Sequence, residues 1–347
     1  MKRKLLVVKK NGFTEIVERE IPPLRNGEIL VENHTSLISP GTEIGWIKQL
    51  RQNGGDFDLP REFGYSGAGV IVDIGKGVKR LKIGTRVATM GAGYAIHSNY
   101  TVIPQNLAIE LPNSVSFEEA VYTCLGATAL QGLRRAGLKL GEYGMVFGMG
   151  IVGNLTAQLS LLNGAYVMGI DTIEPRLKIA ERVGITKTLN LAKDNLINRA
   201  KQFSPFGVEF AFFAFGGDAT KTFENLKMCM QQSEDGHVIG RVILIGGCNI
   251  NLYGGAYSGN MDILISSRTG PGYHDPQYEF GREYPRGFIK FTTLRNMHFI
   301  ISMIAEGKIR VKPLTTHILT LENAHRGIDT LIKNPEEALG IILKMKH

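Results

Sequence analysis

Between Gly144 and Asp171 the chain reads GMVFGMGIVGNLTAQLSLLNGAYVMGID. This is a hydrophobic strand, a glycine turn, a helix and a second strand ending in an acid. The glycines Gly148, Gly150 and Gly153 form a G-x-G-x-x-G, which alone is a weak signal. Its placement between a strand and a helix makes it a strong one. Gly148 permits the tight turn, Gly150 lets a pyrophosphate approach the backbone, and Gly153 lets helix and strand pack closely. Ile151 and Val152 open the helix, whose free N–H groups and positive dipole end suit phosphate. Asp171 lies 23 residues after the first glycine and is placed to accept hydrogen bonds from ribose hydroxyls. A carboxylate there repels a 2′-phosphate, so NAD(H) is favoured over NADP(H); Arg176, five residues on, softens that preference.

The same alternation continues downstream. EPRLKIAERVG reads as a helix, and VEFAFFAFGG and HVIGRVILIGG read as buried strands with helices between them, which predicts a parallel sheet. Gly216 ends the first of these strands, where backbone can approach a nicotinamide ring, and Arg268, which closes the segment, is a further cofactor-binding candidate. The regions on either side differ. Residues 1–122 carry short strand signals separated by turns (KLLVV, EILVEN, GVIVDIG, RVATM, YTVIP) and read as an all-β region folded on itself. Ser116-Phe-Glu-Glu119 is a capping box, followed by apolar residues at helical spacing through Leu133. Beyond about 268 the chain is loop-like, then carries helices around 293–306 and 321–333 and a last strand, ALGIILKM. The expected organisation is α/β, with a β-rich part at residues 1–122, a parallel α/β part at 123–267 and a last part at 268–347 that opens with a loop at 268–290.

The 347 residues suffice for two domains, and 43% hydrophobic with 21% charged residues is ordinary for a globular protein. No apolar run approaches the roughly 18–20 residues that span a bilayer. The basic N-terminus has only Leu5 to Val8 as an apolar run, too short for a signal core. Cys124, Cys229 and Cys248 are widely spaced and contain no CxxC pair, which argues against disulfides and a structural zinc site. These features predict a cytoplasmic protein without a membrane partner. The net charge of +8 is scattered, which argues against a nucleic-acid groove.

The arrangement resembles the medium-chain dehydrogenase/reductases, in which a GroES-like β domain is split around a Rossmann domain. The resemblance covers nearly the whole chain. Zinc-dependent members carry Cys-Gly-Thr-Asp early, Gly-His-Glu some twenty residues later, and a third ligand near the start of the central helix. The matching segments here are Pro40-Gly41-Thr42-Glu43, Gly64-Tyr65-Ser66 and Cys124. Only Cys124 of that trio is a good zinc donor, because proline has none and a neutral tyrosine is a poor ligand. The expectation is therefore no metal, with Cys124 a small buried hydrophobe. GAGYAIHSNYTVIPQNL, VSFEEAVYTCLGATALQGL and ISSRTGPGYHDPQYEFGREYP look like a zinc-lacking branch, sometimes fused to a second oxidoreductase domain, that sits among enzymes of sugar, polyol and cell-surface saccharide metabolism. This chain departs from the branch at His97-Ser98-Asn99-Tyr100, where His-Ala-Glu-Tyr is usual, and at Tyr273-His274-Asp275, where Arg-Tyr-Asp is usual after GPG.

Hydride transfer at a carbinol carbon needs an acid/base for the hydroxyl proton and polarisation of the oxygen. Without zinc, preorganised donors must supply the polarisation. The resemblance places Thr42 at the start of a proton relay and Tyr65 where the metal stands in zinc enzymes. His97 is a candidate because histidine is the residue type suited to moving protons near neutral pH. Tyr65 as a packed aromatic, His97 as a strand-end cap, Thr42 as a turn stabiliser and Glu43 as a partner of a nearby cation are the structural alternatives. Substrate candidates are Glu43, Trp46, Tyr94, Tyr273, His274, Asp275 and Arg295, since rings with polar tips suit sugars. The reading is a zinc-independent NAD(H)-dependent oxidoreductase interconverting a secondary alcohol and ketone on a sugar, cyclitol or nucleotide-linked sugar. The alternatives are an NADPH-dependent reductase of activated double bonds and a non-catalytic nucleotide-binding sensor. Superfamily resemblance implies a homo-oligomer, dimer or tetramer.

Overall fold

The computed structural model describes residues 1–255 and 259–345. The chain divides into two compact units, Met1–Ala127 with Thr269–His347, and Thr128–Arg268. The first division falls inside the helix Thr123–Ala136 rather than ahead of it at 122/123, because that helix runs unbroken from one unit into the other.

The second unit holds a six-stranded parallel sheet. Its order is Thr188–Asn190, Tyr166–Asp171, Tyr143–Phe147, Phe210–Phe213, Ile239–Leu244 and Asn260–Ile265. Every pairing in it is parallel. The order reverses between Tyr143–Phe147 and Phe210–Phe213, the two strands that neighbour the glycine turn, which is where doubly wound sheets open a crevice. Met145, Phe147, Met168, Ile170, Phe213 and Val242 form the core on one face. Asn260–Ile265 is an edge strand, and Ile265 is 70% exposed.

The first unit is built on a seven-stranded sheet. Its path is Thr315–Thr320, Gly340–Lys344, Glu28–Ile38, Ser66–Ile74, Arg86–Met90 and Ala108–Glu110, with Tyr100–Pro104 pairing beside Glu28–Ile38. A smaller sheet orders Thr14–Glu20, Lys2–Val8 and Arg61–Glu62. The capping box at Ser116 forms as expected, with its hydroxyl accepting from Glu119 N. The helix that follows is broken into Phe117–Ala120 and Thr123–Ala136, where Thr123 Oγ1 turns back to donate to the Ala120 carbonyl.

The expectation of an all-β first region is corrected by the helix Thr42–Asn53. Its signal is the spacing of Ile44, Ile47 and Leu50, which lie on one buried face. That face packs with Ile38, Ile328, Leu331 and Ile341. Gly41 at its N-cap offers no side-chain cap, so the usual start signal is missing. The loop after 268 also holds a short helix, Pro276–Glu279, capped by Asp275.

Because Ile47 exposes no surface and anchors the helix that carries Thr42 and Glu43, Ile47→Ala is expected to destabilise the first unit by about 2–5 kcal/mol. A urea denaturation series on both proteins checks this.

Candidate functional site

At the glycine turn, Gly148 adopts φ +91°, and its N–H donates to the Ile170 carbonyl at 2.7 Å. A Cβ on Gly153 would stand 1.7 Å from the Gly148 carbonyl oxygen, so only glycine lets the helix Ile151–Leu162 seat against the turn. A Cβ on Gly150 would meet nothing, which leaves the space above it open to a ligand. Gly150 caps the helix without a side-chain bond, so the N–H groups at its start are left to an outside acceptor. Ile151 is buried and Val152 half-buried.

Asp171 closes its strand and is 8% exposed. Its Oδ2 accepts from Met149 N at 2.7 Å and its Oδ1 from Ile173 N at 2.9 Å, which fixes the carboxylate against the turn. Arg176 Nη1 stands 3.9 Å from Asp171 Oδ2. A cleft of about 450 Å³ begins at Thr172 and is lined by Leu191, Asp194, Lys221 and Asn225, among others. Gly216, exposed beyond the strand Phe210–Phe213, and Arg268, beyond Asn260–Ile265, lie past the same carboxyl ends of the sheet. Arg268 has φ +70°, a left-handed conformation that costs a non-glycine residue energy. These residues could hold a dinucleotide: an open glycine cradle, a helix start without a side-chain cap and a carboxylate fixed beside the turn.

In the first unit the chemistry-bearing residues cluster around Glu43. Its carboxylate is 4% exposed and both oxygens are engaged, Oε2 accepting from Ser39 N at 2.5 Å and Oε1 facing His97 Nε2 at 3.1 Å. His97 exposes no surface; its Nδ1 meets Ser36 Oγ at 2.8 Å, and its ring stands edge-on to Phe63 at 5.0 Å. The His97 backbone is held by Leu6 N and by the Phe63 carbonyl. Gly64, at φ +114°, leaves room for this, since its Cβ would stand 2.6 Å from His97 N. Glu43 was expected to touch substrate; the structure turns it inward, where its hydrogen-bond donors are.

Tyr65 sits beside this carboxylate. It keeps some exposed surface, but its hydroxyl lies in a dry setting that raises its pKa above the usual phenol value; burial is the main cause and the Glu43 charge adds to it. Hydrogen bonds with the Ser39 and Thr42 side chains pull the other way. Thr42 is exposed at the start of its helix. Burial, with Glu43 second, pushes the Cys124 thiol up to about 12. Among the described residues no three His, Cys, Asp or Glu side chains converge as a metal-binding set. Proline stands at position 40 and tyrosine at position 65, and neither side chain is a usual zinc donor. Ser36 and Ser39 were not singled out from sequence; the signal for them was a pair of hydroxyls inside and just after the apolar strand Glu28–Ile38.

The other sequence candidates serve mainly to hold the loop. Tyr273 Oη accepts from Ala92 N at 2.8 Å, and its ring stacks on exposed His274 at 3.9 Å. His274 has φ +69°, with its N–H donating to Glu279. Tyr94 is half-buried, its pKa raised by burial and by nearby Glu279. Asp275 and Arg295 were expected at the substrate; the structure spends them on scaffold. Asp275 caps Pro276–Glu279 and accepts from Tyr284 Oη. Arg295 donates to the Ile289 and Lys290 carbonyls and pairs with Glu283. Trp46 packs on the helix–helix core, 6.4 Å from Phe57. A second cleft, of about 360 Å³ at Lys79, Arg80 and Phe280, shares no lining residue with either cluster.

Residues 25–113 match the alcohol dehydrogenase GroES-like domain. An alcohol dehydrogenase of Geobacillus stearothermophilus is 26% identical over 54% of this chain, which spans 63% of that protein. Sorbitol dehydrogenase 2 of Saccharomyces cerevisiae is 22% identical, over 97% of each chain. The crystal structure of galactitol-1-phosphate dehydrogenase from Escherichia coli superposes with a TM-score of 0.79 at 17% identity, covering 98% of this chain and 99% of that one.

Below pH 9 the Cys124 thiol is protonated in both folded and unfolded chains and costs nothing. Above it the unfolded thiol ionises while the folded one does not until about 12. Stability is therefore expected to fall through this window by up to roughly 1.4 kcal/mol per pH unit from this group. Cys124→Ser should flatten that part of a stability-against-pH curve. Gly153→Ala is expected to displace the turn and abolish dinucleotide binding, measured by quenching of protein fluorescence.

Proposed function

Because the chain belongs to the medium-chain dehydrogenase/reductase superfamily, we propose that it is a zinc-independent, NAD(H)-dependent oxidoreductase. It interconverts a secondary alcohol and a ketone on a sugar, cyclitol or nucleotide-linked sugar. Family membership makes it an alcohol dehydrogenase-like, nicotinamide-dependent oxidoreductase acting on a small molecule. The polyol and sugar-phosphate names among its relatives support the substrate class. The observation that supports the reading is the buried Tyr65 hydroxyl, held by the Ser39 and Thr42 side chains; the sequence resemblance aligns Tyr65 with a metal ligand of the zinc enzymes.

The dinucleotide would be held by Gly148, Gly150, Ile151, Val152 and Gly153 at the pyrophosphate and by Asp171 at the ribose, with Arg176, Gly216 and Arg268 at its margins. When bound, it supplies the hydride donor or acceptor. Tyr65, kept a phenol by its surroundings, donates its Oη–H to the substrate oxygen and so polarises it. Exposed Thr42 passes the proton between Tyr65 and solvent. His97 acts behind Glu43 rather than on substrate, because it exposes no surface. Trp46, Tyr94, Tyr273 and His274 keep exposed or half-buried surface for substrate contact. No helix among the described residues is long and apolar enough to cross a membrane, and a cytoplasmic location is part of the proposal. The exposed edge strand Asn260–Ile265 supports pairing with a second copy, as expected for a homo-oligomer.

Titrating metal-stripped protein with NADH and with NADPH is the first test. Binding of NADH alone is expected from Asp171. Preference for NADPH would favour the double-bond reductase, and binding of neither the non-enzymatic alternative. Metal analysis of the purified protein is expected to find well under one zinc per chain. Once a screen of sugar and cyclitol alcohols yields turnover, Tyr65→Phe should lower kcat by roughly 10²–10³-fold with a small change in KM. Full turnover by that variant would remove Tyr65 from the reaction.

A further inference from the structure

Asn154 follows Gly153 in the helix Ile151–Leu162 and exposes no surface. Its Nδ2 donates to the Met149 carbonyl at 2.7 Å and to the Gly150 carbonyl at 3.0 Å. Only the amide nitrogen suits that place, because an oxygen there would face two acceptors. The other end of the amide, Oδ1, is buried with no hydrogen-bond partner among the described residues. The Gly150 carbonyl also accepts from Asn154 N at 2.9 Å, so it does not need the side chain to be satisfied. A buried acceptor left unmade costs stability. An apolar residue like its neighbour Leu155 would avoid that cost. What the amide adds is a fixed direction for two successive carbonyls.

A trans peptide is planar, and its C=O and N–H point in opposite directions. With the Met149 and Gly150 carbonyls drawn to Asn154, the N–H groups of Gly150 and Ile151 point away from it. A Cβ on Gly150 would meet nothing within 4 Å, so the space beside it is open, and Ile151 starts a helix that has no side-chain cap. Met149 is held from its other end as well, where its N–H donates to Asp171 Oδ2 at 2.7 Å. We propose that Asn154 is a positioning residue for the pyrophosphate of the dinucleotide: its buried amide orients two peptide units so that the Gly150 and Ile151 N–H groups are set to donate to phosphate oxygens before the ligand arrives. This rests on the reading of the glycine turn as a dinucleotide cradle. Donors already in place spare binding the cost of ordering them, so the effect falls on affinity for the pyrophosphate.

The test uses the full chain and needs no turnover. Ligand-observed NMR titrations compare the native chain with Asn154→Leu for NADH and ADP-ribose, which carry the pyrophosphate, and for adenosine, which carries no phosphate. A urea unfolding midpoint is recorded for each protein. Leucine keeps the approximate size while removing both the donor and the unpartnered oxygen. NADH and ADP-ribose are expected to bind Asn154→Leu about ten-fold more weakly, with adenosine binding and the unfolding midpoint close to native. Unchanged NADH affinity in the folded variant would overturn the inference, and so would an equal loss for adenosine, which would mark a general disturbance of the turn. Should Asn154→Leu fail to fold, Asn154→Ser carries the same expectation with a smaller loss, because its hydroxyl can still donate to the Gly150 carbonyl one turn back. A native chain that binds neither NADH nor ADP-ribose would overturn the dinucleotide reading itself, whereas native binding that Asn154→Leu leaves intact would overturn the positioning role alone.

Discussion

A carboxylate taken out of water must be given donors, and in the first unit that requirement shapes everything near Glu43. Ser39 N lies on the turn between the strand Glu28–Ile38 and the helix Thr42–Asn53 and donates to one oxygen of Glu43. His97 reaches the other oxygen because Leu6 and Phe63 grip its backbone from two directions. The bend that brings Tyr65 alongside is possible because Gly64 has no Cβ to strike His97. Removing any of these leaves a charge stranded in an apolar core.

The second unit depends on a steric condition. The carbonyl of Gly148 and the α-carbon of Gly153 approach so closely that no other residue fits at 153. The resulting contact brings the helix start to the sheet's carboxyl edge, and Asp171 then binds the turn through Met149 N. The same hydrogen bond that braces the turn orients the carboxylate.

This difference explains what could be read from the sequence. The glycine turn is local, so spacing alone revealed its strand, helix and acid, and the parallel sheet followed from the alternation around it. The helix Thr42–Asn53 was hidden because glycines at 41 and 45 masked a pattern of only three apolar residues, with no capping signal. The partnership of Glu43 with His97 joins residues 54 apart through a fold that no spacing rule describes. Asp275 and Arg295 looked like substrate groups because polar side chains in a loop suggest a site. Their partners, a helix N-terminus and backbone carbonyls, are visible only in three dimensions.

The loop after Arg268 is gripped in an unusual manner. Gln105 Nε2 donates to the Phe280 carbonyl, Asn106 Nδ2 to the Tyr278 carbonyl and Asn296 Nδ2 to the Thr269 carbonyl. The framework supplies the side chains and the loop supplies only main chain at these points. At these three points the path of the chain is fixed through carbonyls, which every residue possesses, whereas at 273 and 275 it depends on side chains, through Tyr273 Oη on Ala92 N and Asp275 on Tyr284 Oη.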